Sequence, residues 1–474
     1  MLTVSSPLID DRTRVEAGLG GLRPARVTGN MQHESPSEHV PASPPRRILL
    51  GAFGDPGHAF PMIALGRALR ARGHEVTLQT WRRWQAHVEA EDIEFLAAPE
   101  YEVFPLIGSD HPSANGRPVG EALDFYEAVV HATRHTLPLV RELRPDAVVA
   151  DILTLAPALA AELADVPHGT LIPHVYPENE PDFPIYSLGA RLPRTAAGRA
   201  LWRRVQGPVR RGVEQGRVEL NATRERLGLP PLSYGHGGTS RQLALLATFP
   251  QLEYPRVWPS WTHIVGPLMW EPPYRDVELP PGDDPLVLIA PSTAQDPEHR
   301  LLHAALRGLA DAPVRVLATW NRRLPSRALP VPDNARVVEW VSYARTMPHC
   351  DVVVCHAGHG TLVRALASGC AVVACPHTGD MNENAARLDW AGAGVRLPRR
   401  FVTPRALRLA VERAIREPAI RERARELALW SLEHDAASEA SALIERLADR
   451  VRGDSGARLR ADQTLGSPRG QLAE

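Results

Sequence analysis

The 474-residue sequence contains no lysine; all 54 basic residues are arginine. A P-loop needs a lysine on its phosphates, and a pyridoxal-phosphate enzyme needs one for its Schiff base. Both classes are excluded. An excess of one charge is also missing. The 54 basic residues face 55 acidic ones, a net charge of −1. That leaves no cationic surplus to neutralise a run of phosphates, which argues against a nucleic-acid partner. No apolar run reaches the ~18–20 residues that span a bilayer. The longest candidate, 147–166, is broken by Asp151, Glu162 and Asp165. The first residues carry Asp10, Asp11, Arg12 and Arg14 without the apolar stretch of a secretion signal. A cytoplasmic protein with no transmembrane segment is the expectation.

Cysteine is scarce and confined to one region, as Cys350, Cys355, Cys370 and Cys375. The spacing suggests a metal site, but 351–355 and 371–375 read as short buried strands. At ~3.3 Å per residue the first two thiols then sit ~16 Å apart, too far to converge on one tetrahedral ion. Small buried apolar thiols are expected instead.

The length suggests two domains, and 44% hydrophobic with 23% charged residues fits a folded protein. Residues 1–45, rich in Ser, Pro, Gly and charge, read as a disordered leader, with Met31 an alternative start. Residues 47–52 (RILLGA) have strand length and lead into a Gly-containing loop. From Phe60 to Arg72 apolar residues recur at helical spacing, and 75–80 (EVTLQT) is the next strand. This β-loop-α-β unit marks a doubly wound parallel sheet. It continues through strand 146–151, a helix from about 157 to 164 and strand 168–172. Residues 266–284, with five prolines and no period, read as a linker. A second α/β pattern follows, with strands at 286–290, 314–319, 335–339, 351–355 and 371–375 and helices at about 298–309, 361–368 and 382–390. Residues 405–448 read as two or three arginine-rich surface helices, and 453–474 as a disordered tail. The domains expected are thus 46–265 and 285–452, two facing Rossmann-like domains with a ligand cleft between the carboxyl ends of their sheets.

Four segments carry chemistry. His58, after the first strand and at a helix start, is expected to be neutral, its pKa depressed by the helix dipole; it is either a base or a loop residue. Asp151, at the end of a strand, could orient a histidine or cap a helix. The segment 355–361 (CHAGHGT) runs from a buried strand through a Gly-rich turn into a helix, an anion site made of backbone N–H groups, or a tight turn needing Gly for sterics alone. Asp380, after the next strand, could accept hydrogen bonds from sugar hydroxyls or cap its helix. Trp340 could stack on a planar base or pack between domains. Ser292 and Thr293 offer hydroxyls to a phosphate or to a cap.

Together these segments resemble the family 1 nucleotide-sugar glycosyltransferases of the GT-B fold, in particular the bacterial macrolide and natural-product group. The likeness covers about 46–450 and is strongest at 57–76 (GHAFPMIALGRALRARGHEV), at 334–341 (NARVVEWV) and at 352–394 (VVVCHAGHGTLVRALASGCAVVACPHTGDMNENAARLDWAGAG). The resemblance implies that His58 is the base deprotonating the acceptor and Asp151 its orienting carboxylate. It places Trp340 and Val341 on the nucleotide base, and His356, Gly358, His359, Gly360 and Thr361 in the diphosphate turn. Ser292 and Thr293 then meet phosphate from the opposite strand, and Asp380 and Met381 lie at the sugar. It further implies an inverting displacement at the anomeric carbon with no metal ion or other cofactor. A UDP- or TDP-sugar is the co-substrate, and a hydroxyl of a small lipophilic acceptor receives the sugar.

Two positions depart from the family pattern. A glutamate that binds both ribose hydroxyls is replaced by Arg364, and the Gln of the Asp-Gln pair on the sugar is Met381. Both losses suit a deoxynucleotide or deoxysugar donor. Segments 100–126 and 176–211 lie where the family builds its acceptor pocket, with Phe104, Phe125, Tyr126, Phe183, Tyr186 and Trp202 as its aromatics. A nucleotide-sugar epimerase and a non-catalytic GT-B helper are the alternatives. The acceptor, the linkage formed and a homodimer are left open.

Overall fold

A computed structural model describes residues 44–99, 122–274, 276–292, 296–321, 324–377 and 379–449, with side chains described from 128 onward in the helix Ala122–Leu143. All of these lie in the compact unit formed by residues 43–474. The expected tail, the leader up to residue 43, the 100–121 part of the acceptor stretch and Thr293 lie outside the described residues, as do the side chains of Phe125 and Tyr126.

Among the described residues thirteen strands form two parallel sheets. The first contains β1 (Arg47–Gly51), β2 (Glu75–Thr80), β3 (Glu94–Ala97), β4 (Ala147–Asp151), β5 (His168–Ile172), β6 (Ala244–Leu246) and β7 (Thr262–Ile264), ordered β3-β2-β1-β4-β5-β6-β7. The second contains β8 (Leu286–Ala290), β9 (Arg315–Thr319), β10 (Ala335–Val338), β11 (Val352–Cys355), β12 (Ala371–Ala374) and β13 (Gly394–Arg396), ordered β10-β9-β8-β11-β12-β13. Helices cover both faces, so central strands such as LVLIA and VVVC are buried on every residue, as parallel sheets require. All four cysteines are free and buried in this second half.

Strand order reverses between β1 and β4 in one sheet and between β8 and β11 in the other. At such a switch point the flanking loops diverge and leave a crevice beyond the strand ends. Register puts Gly51 beside Ala150 and Ala290 beside Cys355, so each crevice opens just past those pairs. His58 and Asp151 enter the first; Ser292 and His356 enter the second.

Three boundaries differ from expectation. The first helix spans Pro56–Ala71 and not 60–72, because Pro fits a first helical turn whose N–H groups have no partner anyway. Two helices, Ala196–Val205 and Gly207–Arg226, begin within the stretch 176–211 expected at the acceptor pocket. The described residues of the linker 266–284 form no helix or strand, yet the segment is anchored: Trp270 is 5% exposed and its Nε1 donates to Glu91 at 2.7 Å. A last helix across 436–449, assigned from sequence to the second domain, packs instead into the first. Its Ala440, Leu443, Ile444 and Leu447 share a core with Ile63, Leu65 and Val76. Glu445 holds it there, accepting from Arg72 Nε and Nη2 at 2.8 Å and lying 2.8 Å from His74 Nε2.

Candidate active site

At the first switch point the Asp151 carboxylate is fully buried and held on four sides. Its Oδ1 accepts from Leu153 N–H at 2.8 Å and lies 3.0 Å from His58 Nδ1. Its Oδ2 accepts from Thr154 Oγ1 at 2.8 Å and from the Phe53 N–H. Burial raises a carboxyl pKa, but His58 and these N–H donors outweigh it and the Asp151 value is lowered, so the carboxylate stays ionised. It is therefore not a simple helix cap: the following helix, Leu155–Leu163, has Thr154 at its N-cap.

With Nδ1–H donating to Asp151, the lone pair of His58 sits on Nε2. The expected depression of its pKa is overturned. Burial does lower it, yet the charge and hydrogen bond of Asp151, with Asp55 and Asp380 adding, leave it raised above 6.5. A helix terminus is a weaker influence than a carboxylate at contact distance. His174, after β5, is driven the other way, to about 4, by burial and by the charge of His58. The loop before His58 is fixed through the Gly54 carbonyl, which accepts from Trp84 Nε1 at 2.7 Å and from Arg83.

Across the cleft, β11 leads into the turn ahead of the helix His359–Ala367. Gly358 is its N-cap and no side chain caps it, so its first N–H groups are without intrahelical partners. A Cβ placed on Gly57, Gly358 or Gly360 would meet nothing within 4 Å. These glycines are not demanded by packing; they leave backbone open to an incoming group. The buried Ala357 sits at φ 61°, a strained conformation for alanine. Asn384 holds it, donating to the Ala357 carbonyl at 3.0 Å and reaching Asp380 Oδ2 at 3.4 Å. Asn384 lies within the segment 352–394, but nothing in the sequence signals that it bridges turn and carboxylate.

His356 is engaged on both ring nitrogens. Ser292 N–H donates to Nδ1 at 2.8 Å, and Nε2 lies 3.5 Å from Asp296. It pins the turn from inside, while the outward donors are backbone. His359 reaches the other half, its Nε2 3.3 Å from the Ala247 carbonyl, and burial drives its pKa to about 3. Asp380 is the first residue of the helix Asp380–Ala391. Enclosure by protein raises its carboxyl pKa, against the Met381 N–H and the charge of His58. The charge of Asp380 in turn adds to the raising of the His58 pKa. Trp340 lies nearly parallel to Tyr343, 6.2 Å away at 16°. Val341 is buried in the second core, so only its backbone can meet a ligand. Phe183, expected in an acceptor pocket, instead packs edge-on against Tyr254 at 5.5 Å.

A buried His–Asp pair at one switch point and an uncapped helix start at the other sit on the two-sheet plan of a GT-B glycosyltransferase. Residues 304–447 match the family described as Erythromycin biosynthesis protein CIII-like, C-terminal domain. Over 432 residues the chain is 29% identical to 4'-demethylrebeccamycin synthase of Lentzea aerocolonigenes, covering 85% of this chain and 99% of that relative. The solved glycotransferase of kitacinnamycin superposes with a TM-score of 0.67 at 23% identity, over 85% of this chain and 99% of that one. Glycosyltransferase VinC, solved in complex with DTDP, gives 0.60 at 20%, over 85% and 100%. The chain has the GT-B fold and is a glycosyltransferase, and its likeness is to the bacterial macrolide and natural-product group.

Proposed function

We propose that this enzyme moves a hexose or deoxyhexose from a UDP- or TDP-sugar to a hydroxyl of a small lipophilic acceptor, with inversion at the anomeric carbon. The observation that carries the reading is the His58–Asp151 pair at 3.0 Å, electrostatically coupled to Asp380 across the cleft. His58 Nε2 takes the acceptor proton as the oxygen attacks; Asp151 holds the ring and stabilises the imidazolium. The bond from the anomeric carbon to the diphosphate oxygen breaks, and the leaving charge falls on the open N–H groups of the His359 helix. Asp380 accepts from sugar hydroxyls, and Trp340 with Tyr343 offers a stack for the base. No step is assigned to a metal ion, so chelators should leave the rate unchanged. We place the enzyme in the cytoplasm; among the described residues no helix is long and apolar enough to cross a membrane.

Arg364 supports a TDP-linked donor. Where the family's glutamate would meet ribose hydroxyls, its Nη2 donates to the Trp270 carbonyl at 3.1 Å. Glu271 next to Trp270 is itself tied down, accepting from the N–H groups of Tyr343 and Ala344 at 3.2 Å. No carboxylate is thereby offered from position 364 to a 2′-hydroxyl, which removes discrimination against its absence. The test is thermal shift with TDP, UDP and their glucose conjugates. At ~100 times Kd a ligand stabilises by ~2.7 kcal/mol. TDP is expected to give the larger shift, and Arg364→Glu with Met381→Gln should move preference toward UDP-glucose. No shift with any nucleotide would sink the reading in favour of a helper protein.

A further inference from the structure

The two halves also meet over a buried ion network that the transfer chemistry does not use. Arg387, on the helix that begins with Asp380, is 1% exposed. Its Nη1 donates to Glu253 Oε2 at 2.6 Å and to the Leu252 carbonyl at 3.4 Å, and its Nε donates to Glu383 Oε1 at 2.9 Å. The guanidinium lies over the Tyr254 ring, 4.0 Å from its centre. The other oxygen of Glu253 accepts the Tyr176 N–H at 2.8 Å. Glu253, Tyr254 and Tyr176 follow strands of the first sheet; Arg387 and Glu383 belong to the second half.

Two carboxylates and one guanidinium in a dry interface are a poor device for stability, because their desolvation offsets most of their attraction. What the network supplies is direction. A planar guanidinium bonded on two edges fixes both the rotation and the advance of the helix that bears it. Asp380, Glu383 and Arg387 stand at i, i+3 and i+7, on one helix face. Fixing the last two therefore fixes the first. At the opposite end the network grips Tyr176, two residues beyond His174, whose pKa responds to His58.

We propose that Arg387, together with Glu253, is a positioning residue that holds Asp380 on the donor side at its working distance from His58. The inference rests on the transferase reading above. Its signature is selective: sugar recognition should suffer more than diphosphate binding, because Asp380 is borne by the helix the network fixes whereas the N–H donors of the turn 356–361 open a different helix and meet this one through Asn384.

The experiment is calorimetric titration with whichever of TDP or UDP the wild type binds more tightly, and with its glucose conjugate. Arg387→Met paired with Glu253→Gln leaves the net charge of the cluster unchanged, and Arg387→Lys is the milder companion. Both should bind the free diphosphate within threefold of wild type and the glucose conjugate at least tenfold more weakly, less so for Lys. Asp380→Ala should show the same loss, and combining it with the Arg387 and Glu253 changes should add nothing, since both act through one contact. Parallel loss of both ligands, unchanged conjugate binding, or additive losses would overturn the proposal. A wild-type protein that binds no nucleotide would overturn the transferase reading itself, and this inference with it.

Discussion

Removing the His58 imidazole takes away the base but not the anion site. His58→Ala should lower turnover by about 10²–10⁴ and leave TDP binding unchanged; stopped assays and titration on one preparation measure both. The pH dependence has a definite sign. His58 must be neutral to accept a proton, and its pKa is raised above 6.5, so the rate should climb with pH through that raised value. Asp151→Asn removes the raising influence and should move the limb to lower pH while reducing the plateau. Stability should run the opposite way. A histidine whose folded pKa is raised contributes fully below about 6.5 and loses that contribution as pH passes the raised value. His174 and His359, at about 4 and about 3, stay neutral in the folded protein and leave the rate profile alone. They protonate on unfolding below about 6.5, so their contribution to stability is lost as pH falls there and has the opposite sign to that of His58. His58 and Asp151 were legible in the sequence because Asp151 ends a strand that could be read and His58 opens the helix that follows another. Asn384 and Arg387 were not. An arginine on an amphipathic helix ordinarily faces water, and nothing local announces that another domain will bury it.

At the scale of elements, strands buried on both faces wrote themselves as unbroken apolar runs, and β2, β5 and β8 are found at their expected limits. The three-residue β6, β7 and β13 are too short to carry a period. The helix Ala196–Val205 buries none of its residues, and the stripe that carries Leu201 and Val205 is exposed, so no core contact identifies it. The last helix carries a sharper test. Ile444 is fully buried, and truncating such a side chain costs about 2–5 kcal/mol. Ile444→Ala should therefore lower the unfolding midpoint, and hydrogen exchange should quicken in Pro56–Ala71 and β2 before it does in the second sheet. Glu445 adds an acid limb. Its bonds to Arg72, outweighing burial, with His74 adding, hold its carboxyl at about 2. That contribution is present above about 4.5 and fades as pH falls toward 2. Glu445→Gln should flatten acid unfolding over that interval.

For the molecule as a whole, the chain leaves the first domain at the linker, builds the second, and comes back to finish the first. The order of synthesis follows from this. A ribosome adds about 5–20 residues per second, so the core around Ile63 and Val76 waits roughly ten to thirty seconds between release of its own strands and arrival of the segment 436–449 that covers it. During that interval the newborn half shows a greasy flank to solvent while its neighbour is still being made. Expression at lower temperature, or with a holding chaperone, should raise the soluble yield of full-length chain, whereas a chain stopped before 436 should gain nothing from either.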